Sequence, residues 1–160
     1  MRNDPESIIH GLYAAWTLQD IDATLAYCHD YVRYDVVTPD GRKPCADNSG
    51  KVAVRAYLEA MCAVWRWEAG FIEPGPFVVE GNLVIREQFK FRATHRKSGL
   101  EFKGTRRHVW TVEDGRVAQC REHVDVYKLE AFLRMAEAHC RSAVPGMSGL
   151  AVLSGLAGIV

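Results

Sequence analysis

LVIREQFKFRATHRKSGLEFKGTRRHVWTVEDGRVAQCREHVDVY, residues 83–127, is three runs of strand-forming residues separated at Ser98-Gly99 and Asp114-Gly115. Gly, and Asp before it, accepts the positive φ of a tight hairpin, so both dipeptides read as turns. Two-residue loops place Phe91 opposite Arg106, Phe89 opposite His108 and Glu87 opposite Trp110. Across the second turn Trp110 meets Gln119, His108 meets Arg121, Arg106 meets His123 and Gly104 meets Asp125. Opposed residues share a face, and faces alternate along a strand. One face then carries Ile85, Phe89, Phe91, Phe102, Trp110 and Val112, and must pack on the rest of the fold. The other carries Arg86, Gln88, Lys90, Arg92, Lys103, Thr105 and Arg107, which suits water.

The packed face also receives Glu87, Arg106, His108, Arg121, His123 and Asp125. An unpartnered buried ion costs several kcal/mol, so these groups must pair, line a wet pocket or shift their pKa values. They are the strongest functional lead in the sequence. The assignment rests on register, because one extra residue in a loop turns every residue beyond it to the opposite face.

At 160 residues, 48% apolar and 25% charged, the chain reads as one globular domain with a sizeable core. Its net charge of zero argues against nucleic acid or an anionic membrane as partner. Glu80, Glu101, Glu113 and Glu122 interleave with the outer Arg and Lys residues, as on a solvated face. The five cysteines (28, 45, 62, 120 and 140) show no CxxC or metal-like spacing. Most fall at apolar periodic positions; Cys45, in a loop, is the accessible one. MRNDPESIIHG lacks an apolar signal-peptide core, so a reducing cytoplasm is the expected compartment.

Upstream, Asp4 as N-cap and Pro5 at the first helical position precede Ile8, Ile9, Leu12, Tyr13 and Trp16, predicting a helix over 5–18. Asp20 caps a second helix through Leu25 and Cys28 that ends near His29-Asp30. Residues 31–37 alternate as a strand, 38–50 hold turn residues and read as a loop, and 51–67 return to helical spacing. Residues 71–80 are extended, and a last helix spans 128–140. Helices set against antiparallel strands define an α+β fold, a curved sheet wrapped round three helices to leave a cone. Residues 1–140 make the domain. Residues 141–160, apolar and glycine-rich, are expected to pack on the cone or on a partner subunit.

The stretch YAAWTLQDIDATLAYCHDYVRYDVV resembles the entry of nuclear-transport-factor-2-like and SnoaL-like proteins, and VEDGRVAQCREHVDVYKLEAF resembles their closing hairpin. The resemblance implies a cone-shaped α+β barrel, commonly a homodimer, with a mostly apolar pocket. Polyketide cyclases, ketosteroid isomerase, scytalone dehydratase, limonene epoxide hydrolase and binding-only modules share it, so fold alone does not choose an activity. The epoxide hydrolase's closing aspartate falls on Asp125, but its Arg-x-Asp falls at Gln88 and Lys90. The isomerase's positions fall on Leu12, Val36 and Arg107, which do not fit. The SnoaL-type cyclases' strand-end aspartate falls on Asp125, and His108 and His123 are the histidines near it.

Asp125 with His108 or His123 is therefore the candidate acid–base set for enolisation, ring closure or dehydration of a largely apolar carbonyl compound, without metal or cofactor. Arg106 or Arg121 would steady an enolate. Tyr34, Glu87, Arg106, Trp110, Trp16 and Phe89 are the candidate ligand contacts. Plainer roles compete: Asp125 suits an N-cap for the last helix, and His108 a satisfied core histidine. A non-catalytic binder and a dimeric adaptor with a filled cone are the alternatives. Dimerisation is expected through the outer sheet face, by Val109, Thr111, Ala118, Cys120 and Val124.

Overall fold

The computed structural model describes residues 4–42, 44–67 and 76–142, apart from the side chains of Pro44 and Glu87. The apolar tail expected to cover the cone lies outside the described residues. Helix α1 (Pro5–Thr17) begins at Asp4, whose carboxylate accepts from Ser7 N at 3.4 Å; α2 (Ile21–Ala26) begins at Asp20, which accepts from Ala23 N at 2.9 Å. Helix α2 stops four residues short of the expected end. The sheet claims those residues instead: Val117 N donates to Tyr27 O at 2.8 Å, and strand β1 (Cys28–Val37) runs parallel to β7 (Arg116–His123).

Part of the expected 38–50 loop is strand β2 (Pro44–Ser49), an antiparallel edge strand on β1. Turn-forming residues are tolerated there because an edge needs pairing on one side only. Helix α3 (Lys51–Val64) ends early where β3 (Trp65–Arg66) pairs with the far end of β5 (Leu83–His95). Strands β4 (Phe77–Glu80) and β6 (Glu101–Glu113) flank β5, and α4 (Val126–Ser142) closes the described chain. The mixed seven-stranded sheet runs β2-β1-β7-β6-β5-β3, with β4 also on β5. Ile9, Val32, Val84, Val117 and Cys120 are wholly buried between α1, α3 and the sheet. A second core joins Trp65, Trp67, Phe102, Phe132 and Ala136 beneath α4. Each such large side chain contributes roughly 1.5–3 kcal/mol.

Both hairpins form, with three changes of register. The first loop is four residues, not two: His95 N donates to Leu100 O, and Phe89 faces Arg106 while Phe91 faces Gly104. That offset of two keeps the faces. Gly104 is required there, since a Cβ would lie 2.9 Å from the Phe91 ring. A β-bulge between Arg86 and Phe89 then reverses the start of β5, turning Arg86 inward beside Val84 and Ile85 outward opposite Val109. The Asp114-Gly115 turn has two residues at positive φ, as expected, but Ala118 is an extra residue between Val112–Val117 and Thr111–Gln119. Beyond it Trp110 faces Cys120 and His108 faces Glu122.

The second bulge corrects the expected inner cluster. An unbulged β7 would have packed Arg121 and His123 against Arg106, cation against cation. The bulge replaces them with the Glu122 carboxylate, which Arg106 neutralises. Cys120 and Val124, expected on the outer face, are buried. The outer face instead keeps Ile85, Val109 and Thr111, half-buried.

Candidate functional site

The inner face of β1, β6 and β7 converges on Glu122, 1% exposed. Arg106 Nη1 donates to Glu122 Oε1, and the Tyr34 hydroxyl donates to Oε2 at 2.7 Å. His108 Nε2 stands 3.6 Å from Oε1, and the Tyr13 hydroxyl hydrogen-bonds His108 Nδ1. With the hydroxyl donating to Nδ1, the imidazole proton belongs on Nε2, toward the carboxylate. The series Tyr13–His108–Glu122, with Arg106 and Tyr34 on the carboxylate, crosses the interior of the cone.

Aromatic rings hold it. Phe89 and Trp110 stand edge-on to His108 at 5.0 and 5.4 Å, and Phe91 lies 4.2 Å from the Arg106 guanidinium. Arg86 is buried over the rings of Tyr13, Phe77 and Phe89 at 4.7–5.1 Å, which explains why a cation is tolerated inside β5.

Burial pushes the Glu122 carboxyl up, but Arg106, His108 and Tyr34 outweigh it and hold it well below the usual carboxylate range. Burial lowers the His108 pKa, against the pull of Glu122, so the ring is neutral at pH 7. Burial raises the Tyr13, Tyr34 and Tyr57 phenols, which are therefore neutral donors. The site is a fixed anion, a neutral proton acceptor and hydroxyl donors in an apolar shell.

Three cavities of about 50, 40 and 60 Å³ lie along this series. Trp16, Tyr34, Leu58 and His108 are shared by the second and third; Tyr57, Met61, Arg106 and Glu122 by the first and third. Small-molecule sites usually occupy about 300–1,000 Å³, so a ligand larger than a few waters must displace side chains. Met61, flexible and in two of the walls, is suited to that.

Of the expected ligand contacts, Tyr34, Arg106, Trp16 and Phe89 line these cavities, and Trp110 lines one; the Glu87 side chain lies outside the description. His108 is central. The structure does not bring His123 or Asp125 to it. Asp125 is exposed and caps α4, accepting from Lys128 N at 3.0 Å. His123 lies on the outer face against Arg107 and Pro39 O. Arg121 is exposed on that face too.

The sequence reading missed Glu122, Tyr13, Tyr57 and Arg86. Tyr13 read as an ordinary core position of α1, and Glu122 as a surface charge, because only the Ala118 bulge turns it inward. Among the described residues no group of three or more His, Cys, Asp or Glu could hold a metal ion. No helix among them is long and apolar enough to cross a membrane.

A curved mixed sheet closing on helices around an internal polar series defines a fold of the nuclear-transport-factor-2-like kind. The chain belongs to the SnoaL-like domain family, which it matches over residues 9–120. Solved structures agree on the fold. An NTF2-like protein from Burkholderia xenovorans LB400 is 19% identical, with a TM-score of 0.67 over 82% of this chain and 96% of that one. A protein provisionally named a polyketide cyclase, from Xanthomonas campestris pv. campestris, is 16% identical, with a TM-score of 0.68 over 81% and 96%. TerC, co-crystallised with polyporic acid, is 20% identical, with a TM-score of 0.62 over 83% and 98%. No curated protein matches the chain.

Proposed function

We propose that the chain binds a small, largely apolar carbonyl compound in the cone and moves a proton on it, as an isomerase, cyclase or dehydratase does. The observation that carries this reading is His108, neutral and clamped between the Tyr13 hydroxyl and the Glu122 carboxylate in a dry interior. Structure alone has little use for that arrangement, since an apolar trio of equal volume would be at least as stable. A carbonyl oxygen entering beside Tyr13 would draw the Tyr13 hydroxyl proton away from His108 Nδ1, which stabilises an enolate and frees Nδ1. The proton taken from carbon passes to that Nδ1, and Glu122, facing Nε2–H, stabilises the imidazolium. Arg106 keeps Glu122 ionised throughout. A ligand role agrees with the relative crystallised with polyporic acid. His108→Phe tests the reading: it preserves ring packing and removes the proton acceptor, so it should leave ligand binding largely intact and lower turnover by about 10²–10⁴.

A second reading, binding without chemistry, is favoured by one fact: both oxygens of Glu122 already have partners. Under it His108→Phe changes affinity alone. As a homodimer in the cytoplasm, the chain would pair through Ile85, Val109 and Thr111, the apolar end of the outer sheet face.

A further inference from the structure

A cavity roomier than those in the cone lies outside it, among the described residues. It is an open cleft of about 480 Å³ on the other side of the sheet, lined by Pro39, Gln88, Thr105, Arg106, Arg107, His123 and Asp125. Its volume falls in the range of ordinary small-molecule sites. Register builds it: Arg107 faces His123, Gln88 sits in the β5 bulge beside them, and Pro39 of the 38–42 turn lines one side, where a Cβ on Gly41 would lie 3.1 Å from the His123 ring.

The lining carries both signs of charge. The Arg107 guanidinium meets no carboxylate among the described residues. Its contacts there are the His123 ring nitrogens, at 3.1 and 3.2 Å. His123 is itself buried; Pro39 O stands 3.3 Å from its Nδ1, and the exposed Asp40 carboxylate interacts with it only through space. The Gln88 and Thr105 side chains make no hydrogen bond among the described residues, so a cation and neutral donors face one space. Asp125, also in the lining, accepts from Lys128 N with Oδ1, and its second oxygen makes no hydrogen bond among the described residues. A bare polyanion would gain from Arg107 and lose to Asp125. A small carboxylate that also carries a hydroxyl or ammonium group satisfies both.

We propose that this cleft is a second ligand site, separate from the cone, for a small hydroxy- or amino-carboxylate, its carboxylate on Arg107 and its hydroxyl or ammonium on Asp125. Arg106 forms a wall of the cleft and of the cone cavities alike, so occupancy outside adjoins the Arg106–Glu122 pair inside.

Lactate is a suitable probe, followed through the imidazole NMR resonances of His123. A saturable shift is expected, with affinity weakened about tenfold or more in Arg107→Gln, since a charge-assisted pair is lost. Acetate, which offers Asp125 nothing, should bind more weakly than lactate. Asp125→Asn should narrow that difference while keeping the helix cap. Should Arg107→Gln fail to fold, Gln88→Ala, at an exposed position, serves with the same direction of effect. No saturable shift with lactate, equal binding of lactate and acetate, or full lactate affinity in the folded variant would each overturn the proposal. Arg107 lies outside the cone, so these outcomes are independent of whether the interior site is catalytic.

Discussion

Replacing Glu122 by Gln is the sharpest perturbation of the fold, because it changes charge at nearly constant volume. The Arg106 side chain is 16% exposed and the Glu122 side chain 2%. Without the carboxylate the guanidinium keeps its desolvation cost and loses its counter-ion, which destabilises by about 3–5 kcal/mol. With the amide oxygen at the Oε1 position His108 keeps an acceptor and the Tyr34 hydroxyl turns to accept from the amide NH2, so the loss belongs mainly to the ion pair. Arg106→Met alone strands the carboxylate and should cost as much. The double variant Arg106→Met/Glu122→Leu removes both charges, and its stability should lie within about 2 kcal/mol of the wild type. For a chain of this size, about 2–4 °C per kcal/mol puts the single variants roughly 6–20 °C lower in Tm. Urea unfolding of the four proteins measures the coupling. Single variants within about 1 kcal/mol of wild type would refute the buried-pair reasoning. So would a double variant no better than the singles.

Acidification should destabilise in two stages. Since the fold lowers the His108 pKa, the unfolded chain takes up a proton that the fold resists once pH falls below the usual 6.5. Glu122 is held below its usual 4.5, so its stabilisation is complete above that value and is lost as pH falls toward its folded pKa. Urea midpoints should fall through both ranges, and His108→Phe should reduce the upper fall without abolishing it, since burial lowers His95 and His123 too; a midpoint constant from neutrality to the carboxylate range would contradict both assignments. Asp125→Asn should leave stability nearly unchanged and Asp125→Ala should cost about 1 kcal/mol, read by thermal unfolding, because the residue is a helix cap. Neither should alter turnover in the cone. Light scattering should show a dimer that Ile85→Glu converts to monomer, and a wild-type monomer at micromolar concentration would remove that interface.

The helices were legible because their signals are local: Asp4 and Asp20 announce their starts, and the apolar spacing of α1 and α3 survives in the core. The two hairpins were legible from their turns, and the family from motifs at both ends. Register was not. Nothing local marks Ala118 as an extra residue, yet it decides whether Arg121 and His123 or Cys120 and Glu122 face the core. The choice is made by a contact across the sheet, the Glu122 carboxylate against Arg106. The β5 bulge behaves alike, burying Arg86 where Tyr13, Phe77 and Phe89 offer their ring faces. Arg106 and His108 were placed correctly because the first loop's offset of two preserves the faces, and Tyr34 because β1 lies ahead of both hairpins. Asp125 was drawn into the site by the unbulged register and by the family motif together, whereas its backbone position makes it a cap.

Hydrogen–deuterium exchange at the α-carbon of a small cyclic ketone, followed by proton NMR, tests the central claim most directly. It needs no knowledge of the natural substrate and reports proton transfer alone. The wild type should accelerate exchange, His108→Phe should lower that acceleration by about 10²–10⁴, and Arg107→Gln should not change it. Exchange at the same rate with wild type and His108→Phe would contradict an acid–base role for the Tyr13–His108–Glu122 series.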